Sequence, residues 1–267
     1  MTARIDLRGS RALVTGATGG LGQAIARRLA QEGAELVLSG RRTDVLEPFA
    51  KELGARAIVA DFEDLAAVDR LMEEAGPIDV LVANAALPAN GDLLEYTPEQ
   101  LTRALTVNLH APIAMSRTAA VGMVERERGH IVLIGSMSGK VASIDSSLYN
   151  ATKFGLRGFA LGFRQDLARH GVGVSIVEPG FVREAGMFVE SGANLPSGAR
   201  TVTPEQVANG VAKAIQRDKA EIVVAPLELR AGGAVGALLP ELGAKIQGMA
   251  GGAKLARRMA EGQRNKR

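Results

Sequence analysis

A tyrosine stands four residues ahead of a lysine in the stretch SSLYNATKFG, residues 146–155. In a helix the side chains of Tyr149 and Lys153 lie one above the other on a single face. A phenol loses its proton near pH 10, so tyrosine is a poor acid–base catalyst at neutral pH unless its anion is stabilised. A lysine ammonium one turn away lowers that pKa electrostatically, and the phenol can then protonate a carbonyl oxygen or deprotonate an alcohol. Ser136, in IGSMSG, precedes Tyr149 by thirteen residues, and its hydroxyl could orient the same oxygen. Asn108, in TVNLHAP, falls in a helical pattern where asparagine is a mediocre helix former; it could hold a water linking Lys153 to solvent. On its own, Tyr-x-x-x-Lys also arises by chance, as a surface phenol beside an exposed cation.

The elements that must position these groups are legible as seven short apolar runs. They are RALVTG (11–16), AELVLSG (34–40), RAIVAD (56–61), IDVLVAN (78–84), HIVLIGS (130–136), GVSIVEPG (173–180) and EIVVAP (221–226). Each is apolar on both faces, as parallel strands covered by helices are. Amphipathic segments separate them. Gly33 is a helix-ending glycine, and Thr203-Pro204-Glu205 is an N-cap followed by proline at the first helical position. The alternation predicts an α/β fold, a doubly wound parallel sheet of about seven strands with helices on both faces. No linker or repeat divides the chain, so residues 1–228 read as one domain. Residues 229–267 read as glycine-interrupted helices with a basic tail, which cap the fold or mediate assembly.

The first strand runs directly into TGATGGLG, residues 15–22, and a helix follows. Glycines there permit a tight turn and let a pyrophosphate approach backbone N–H groups at a helix N-terminus. Gly16, Thr18, Gly20, Leu21 and Gly22 are the candidate contacts. An acidic residue at the end of the second strand would hold an adenosine ribose 2′-OH, but here the strand ends SGRR. Arg41, helped by Arg42, offers a planar cationic fork for a 2′-phosphate, which favours NADP(H) over NAD(H). At the end of the third strand Asp61 could accept a hydrogen bond from the adenine amino group and Phe62 could flank the ring. As a lone aspartate Asp61 fits an N-cap equally well. An oxidised nicotinamide near Tyr149 would add to the stabilisation of its anion, and Lys153 could also bond the nicotinamide ribose.

Apolar residues make up 46% of the 267 and charged residues 23%, which describes an ordinary globular chain. There is no apolar run of transmembrane length and no signal-peptide core, so the expected location is the cytoplasm. The absence of cysteine excludes disulfides and thiolate sites, and three scattered histidines offer no metal site. A net charge of +3 is too small to point to nucleic acid. Part of it gathers in the tail KLARRMAEGQRNKR, which reads as a solvated, frayed end or as an arm touching a membrane surface or partner subunit.

Together, TGATGGLG, Asn108, Ser136 and YNATK resemble the short-chain dehydrogenase/reductase family in its short, single-domain branch, in register from about residue 10 to residue 226. The resemblance implies a Rossmann-type fold and a catalytic tetrad falling on Asn108, Ser136, Tyr149 and Lys153. It implies that EPGFV, residues 178–182, meets the nicotinamide carboxamide, with Pro179, Gly180 and Val182 as contacts. It places Asn84 and Ala85 beside the cofactor, and it implies homotetramers or homodimers built on two long helices, 97–127 and 149–170. Two departures stand out. The family's Asn-Asn-Ala-Gly becomes Ala83-Asn84-Ala85-Ala86, and Glu184 replaces a threonine that touches the cofactor. An acidic side chain beside the pyrophosphate would be repulsive, so Glu184 is expected to point away.

Residues 183–202 read as a mobile lid in which Met187, Phe188 and Val189 could cover an apolar substrate, with Leu87, Met137, Val141 and Phe181 lining the same pocket. The leading expectation is an NADPH-dependent oxidoreductase that reduces a fairly hydrophobic carbonyl with Tyr149 as proton donor. A dehydrogenase working mainly in the oxidative direction uses the same residues. A non-catalytic NADP(H)-sensing protein is the alternative from another class, although pure binding would not need Ser136, Tyr149 and Lys153 together.

Overall fold

Aliphatic and β-branched residues dominate the seven strands: β1 (Arg11–Thr15), β2 (Glu35–Gly40), β3 (Arg56–Val59), β4 (Val80–Ala83), β5 (Gly129–Ile134), β6 (Val172–Pro179) and β7 (Glu221–Val224). The computed structural model describes residues 4–193, 195, 200–249 and 252–264. The strands form one sheet in the order β3-β2-β1-β4-β5-β6-β7, and every pairing is parallel. Around it lie α1 (Gly20–Gln31), α2 (Thr43–Glu52), α3 (Leu65–Ala75), α4 (Pro98–Leu105), α5 (Ala111–Glu125), α6 (Ser147–Leu167), α7 (Met187–Glu190), α8 (Pro204–Arg217), α9 (Leu227–Leu238), α10 (Pro240–Met249) and α11 (Gly252–Gln263). The expected doubly wound, Rossmann-like sheet is present. No helix among the described residues is long and apolar enough to cross a membrane.

Successive strand side chains point to opposite faces, and along the central strands β4, β5 and β6 both faces are dry. Leu13, Leu81, Ile131 and Leu133 meet α3, α5 and α6 through Leu71, Met115 and Leu156. Val14, Val82, Val132 and Val177 meet α1, α2 and α8 through Ile25, Leu46 and Val211. Each fully buried valine, leucine or isoleucine contributes about 1.5–3 kcal/mol. The caps follow the sequence. Thr203 and Gln206 form a reciprocal capping box on α8, and Gly33 ends α1 with φ +86°.

The helix expected over 97–127 is in fact two helices joined by a π turn, Thr106–His110. Pro112 explains the break. It has no N–H to donate to the carbonyl of Asn108, so a regular α ladder fails at that point. The second long helix, α6, matches its expected span and ends in a 3-10 turn, Ala168–His170.

Sheet order reverses between β1 and β4, so the connections from these neighbours diverge and open a crevice at their carboxyl ends. The turn from β1 into α1 borders that crevice, and it tolerates no extra atoms. A Cβ on Gly22 would lie 2.2 Å from the Gly16 carbonyl oxygen and 2.9 Å from the Ala17 Cα. Gly22→Ala must therefore push the backbone turn apart, and we expect a loss of about 1–3 kcal/mol in denaturant unfolding. An unchanged unfolding midpoint would show that the turn yields freely.

Candidate active site

A cleft of about 1390 Å³ occupies the switch point and continues across the ends of β5 and β6. Gly16, Thr18, Gly20, Leu21 and Gly22 line one end. Gly16 has φ +65°, and a Cβ there would strike Ala85 Cα and Asn84 Nδ2, both at 2.9 Å. No side chain caps the N-terminus of α1, and its first turn holds no acid. That leaves its leading N–H groups available to an anion. Asn84 ties the loop together: Nδ2 donates to the carbonyls of Thr15 at 2.9 Å and Gly16 at 3.3 Å. Thr15 Oγ1 in turn accepts the N–H groups of Asn84 and Ala85. The surviving asparagine of the altered Ala-Asn-Ala-Ala segment thus holds β4 to β1.

Farther along the cleft, Arg41 and Arg42 are both present and exposed. Arg42 donates to the Thr18 carbonyl. Arg41 lies 2.9 Å from Glu63 and 3.6 Å from Asp61, and Arg103 reaches the same Glu63 oxygen at 2.7 Å. Neither Glu63 nor Arg103 carried any signal in the sequence, because the pairing joins the β3 end to α4. Asp61 accepts the N–H of Glu63. Phe62 lines the cleft but is 4% exposed and belongs to the core, so little of its ring is available to a ligand.

The expected chemical groups meet beyond the end of β5. Ser136 and Tyr149 both line the cleft there, with the Ser136 hydroxyl near enough to the phenol to favour its anion. Ser136 Oγ also accepts the N–H of Ser138 at 3.1 Å. Lys153 is buried, donates from Nζ to the Ile134 carbonyl at 3.0 Å, and lies 5.7 Å from the centre of the Tyr149 ring. The electrostatics differ from the sequence expectation. Burial pushes the Tyr149 phenol up to about 12, against the downward pull of the Ser136 hydrogen bond. Burial also pulls Lys153 down to about 8. Desolvation disfavours both ions, and at this separation it outweighs their mutual stabilisation.

Asn108 is 1% exposed, and its amide is taken up by the next loop. Oδ1 accepts the Leu87 N–H at 2.6 Å, and Nδ2 donates to the Leu87 carbonyl at 2.9 Å. This side chain clamps backbone.

Pro179, Gly180 and Val182 line the cleft after β6. Just before them Glu178 is wholly buried, 3.3 Å from Lys140 and 3.5 Å from Arg157, with Glu221 bound to both cations at 2.7 Å. Burial, then the nearby Glu221 charge, push Glu178 up. Glu184 pairs with Arg183 and is exposed, and Ala185 presses on the glycine loop, where a Cβ on Gly20 would fall 2.5 Å from its own.

The segment expected to form a lid contains α7, and Val182 bridges Val202; residues 194 and 196–199 of it lie outside the described residues. Met187 and Phe188 line the cleft, with Phe188 5.2 Å from the Phe181 ring. Leu87, Met137 and Val141 line it too. Val189 instead faces out, 44% exposed. The tail read as frayed is helical and docked as far as Gln263; 250–251 and 265–267 lie outside the described residues. Gln263 is 1% exposed, accepts from Asn90 Nδ2 at 2.9 Å and donates to the Met187 carbonyl at 2.8 Å. Leu229 of α9 and Leu255, Ala256 and Met259 of α11 complete the cleft wall. The i, i+4 spacing of Leu255 and Met259 was the available sequence signal.

A sequence model described as short chain dehydrogenase matches residues 10–196. The chain is 37% identical over 227 residues to the ketoacyl reductase HetN of Nostoc sp., covering 82% of this chain and 79% of that protein. Over 181 residues it is 38% identical to the NADP-dependent 3-hydroxy acid dehydrogenase YdfG of Salmonella typhi, covering 64% and 71%. Among solved structures, a short-chain dehydrogenase from Sphingobium yanoikuyae in complex with NADPH aligns with a TM-score of 0.75 at 28% identity, over 87% of this chain and 95% of that one.

The lysine makes a pH prediction. The unfolded chain keeps Lys153 protonated up to its ordinary value near 10.5, whereas the folded chain releases the proton from about 8. Between those values the unfolded state binds more protons, so this group makes stability rise with pH. Without added cofactor, Lys153→Met should therefore melt above the wild type at pH 7, and the difference should shrink as pH rises from 8 toward 10.5. A difference that stays constant across that range would mean that water reaches the ammonium.

Proposed function

The chain belongs to the short-chain dehydrogenase family, and on that premise we propose that it is an NADP(H)-dependent oxidoreductase that reduces a fairly hydrophobic ketone or aldehyde. The observation that carries this reading is the meeting of Ser136, Tyr149 and buried Lys153 at one end of a cleft whose other end is a glycine cradle. The cradle fits a dinucleotide, because the backbone comes so close at Gly16 and Gly22 that side chains are excluded. Gly16, Thr18, Gly20, Leu21 and Gly22 would hold the pyrophosphate, Arg41 and Arg42 the 2′-phosphate, and Asp61 with Phe62 the adenine. Asn84, Ala85, Pro179, Gly180, Val182, Tyr149 and Lys153 would hold the nicotinamide half. When bound, NADP(H) supplies or accepts the hydride.

The protein's own part is the proton. Tyr149 Oη gives it to the substrate oxygen in reduction and takes it back in oxidation, while Ser136 holds that oxygen in place. A phenol near 12 is firmly protonated at neutral pH, which suits donation. Lys153, held near 8, is largely charged at pH 7 and stabilises the phenolate left behind. Asn108, through a water linking Lys153 to solvent, would lead the replacement proton in.

Met137, Val141, Phe181, Phe188, Leu229 and Met259 give the substrate end of the cleft an apolar lining, which supports a hydrophobic substrate. The single domain with its helical extension, the cytoplasmic location and a homodimer or homotetramer belong to the same proposal. The last rests on α5 and α6, where Val121 and Phe154 stay 57% and 43% exposed.

In a panel of ketones, aldehydes and alcohols assayed with NADPH and NADH, apolar carbonyls should turn over best with NADPH. Tyr149→Phe should lower kcat by about 10²–10⁴ while NADPH binding persists. A wild type that binds NADPH yet turns over nothing would be the sensor, and strict preference for small charged hydroxy acids would overturn the substrate assignment. Arg41→Ala and Arg42→Ala should each raise KM for NADPH about tenfold or more, the worth of a charge-assisted hydrogen bond, with little change for NADH. Equal effects on both cofactors would remove the arginines from the 2′-phosphate site.

A further inference from the structure

Helix α9 carries its large side chains on the wrong side for a helix that faces water. An ordinary surface helix turns its aliphatic residues inward and its small or charged ones outward. Beyond Leu229, which lines the cleft, the inward positions are glycines. A Cβ on Gly233 would fall 2.5 Å from Met137 Cε, and one on Gly236 would fall 3.0 Å from Val141 Cγ1. A Cβ on Gly243 of α10 would lie 2.7 Å from Gly236 Cα, so the two helices also meet through glycine. The outward positions are large and apolar. Leu227 is 73% exposed, Val235 37%, Leu238 81%, Leu239 55% and Leu242 44%. Residues 231–240, AGGAVGALLP, hold no polar or charged side chain, and eight of the ten are exposed.

Charge is concentrated in the same segment. Residues 229–267 contain eight basic and two acidic side chains, an excess of six, although the whole chain carries only +3. The rest of the molecule is therefore net negative. Lys245 stands three residues after Leu242 on one face of α10, and Arg230 flanks the α9 stripe; both are exposed. On α11 the cleft takes Leu255 and Met259, while Lys254, Arg257 and Arg258 are exposed.

We propose that the outer face of α9 and the α9–α10 corner dock onto the surface of a bilayer bearing anionic headgroups, with the leucines in the headgroup–acyl boundary and the basic residues against the headgroups. At about 1.5 Å per residue a twelve-residue helix is too short for a hydrocarbon core of about 30 Å, so α9 lies in the surface plane and does not span it. A second copy of the chain is the other possible cover for such a face. Charge disfavours it, because an isologous contact would bring two segments of excess +6 together, whereas anionic lipid neutralises them. The proposal does not depend on the identity of the substrate.

The test uses the purified full chain and extruded vesicles, of phosphatidylcholine alone or with phosphatidylglycerol, in a sedimentation assay. We expect about tenfold more protein on the anionic vesicles at low ionic strength and release at high salt. Leu238→Glu with Leu239→Glu, and separately Arg257→Glu with Arg258→Glu, should each abolish capture while melting and NADPH turnover stay at wild-type values. The second pair keeps the test informative should the first fail to fold. Equal capture by neutral and anionic vesicles, no capture of folded wild type at low salt, or capture unchanged in both variants would overturn the proposal. So would sizing in which the leucine variant splits an oligomer while vesicles retain no wild type, which would assign the face to a second copy.

Discussion

The ammonium of Lys153 donates to the carbonyl of Ile134, and through this bond α6 is fastened to the end of β5. That contact sets where Tyr149 stands relative to Ser136, since one residue rides on the helix and the other follows the strand. The backbone packs closely around it: a Cβ on Gly139 would sit 2.8 Å from the Lys153 carbonyl oxygen, so the turn after Ser136 can lie directly against the helix. A charged amine held in this way is costly in a dry interior. Its pKa near 8 expresses that cost, and the buried phenol beside it is displaced in the opposite direction for the same reason.

The same economy of side chains recurs at the other end of the cleft. Close backbone approach at Gly16 and Gly22 leaves room for a ligand only where a side chain is missing, and Asn84 holds the neighbouring strand ends in register by bonding backbone carbonyls. Asn108 acts likewise on Leu87, using both ends of its amide. Two asparagines thus hold the two loops between which a long ligand can lie. Neither is a flexible surface group, and both are positioned by irregularities, a strand end in one case and a proline-induced π turn in the other.

The helices after β7 give the molecule its individual character. They lie outside the segment matched by the family; α9 packs inward through Gly233 and Gly236 and turns Leu227 and Leu238 outward, while Leu229 and Leu255 line the cleft. Gln263 joins the last of them both to the loop after β4 and to the lid helix. A buried side-chain amide that satisfies two partners so far apart in sequence is a specific fastening, because either partner left alone would be an unsatisfied polar group.

Much of this was written in local patterns. Apolar runs flanked by glycine and capping residues specify parallel strands and helices, because burial on two faces and capping geometry depend on near neighbours. The spacing from Tyr149 to Lys153 specifies a shared helix face for the same reason, and the glycine loop, Asn108, Ser136 and YNATK together carry the resemblance to a dinucleotide-dependent family. What only the tertiary structure decided depends on groups brought together from distant positions. It placed Glu63 between Arg41 and Arg103, moved Phe62 into the core and turned Val189 outward. It also reversed the expected shift of the tyrosine, since desolvation is set by everything packed around a side chain. Finally, it docked a tail that looks frayed as a string of charges, because Gln263 finds its partners, Asn90 and Met187, only after the sheet and the lid are in place.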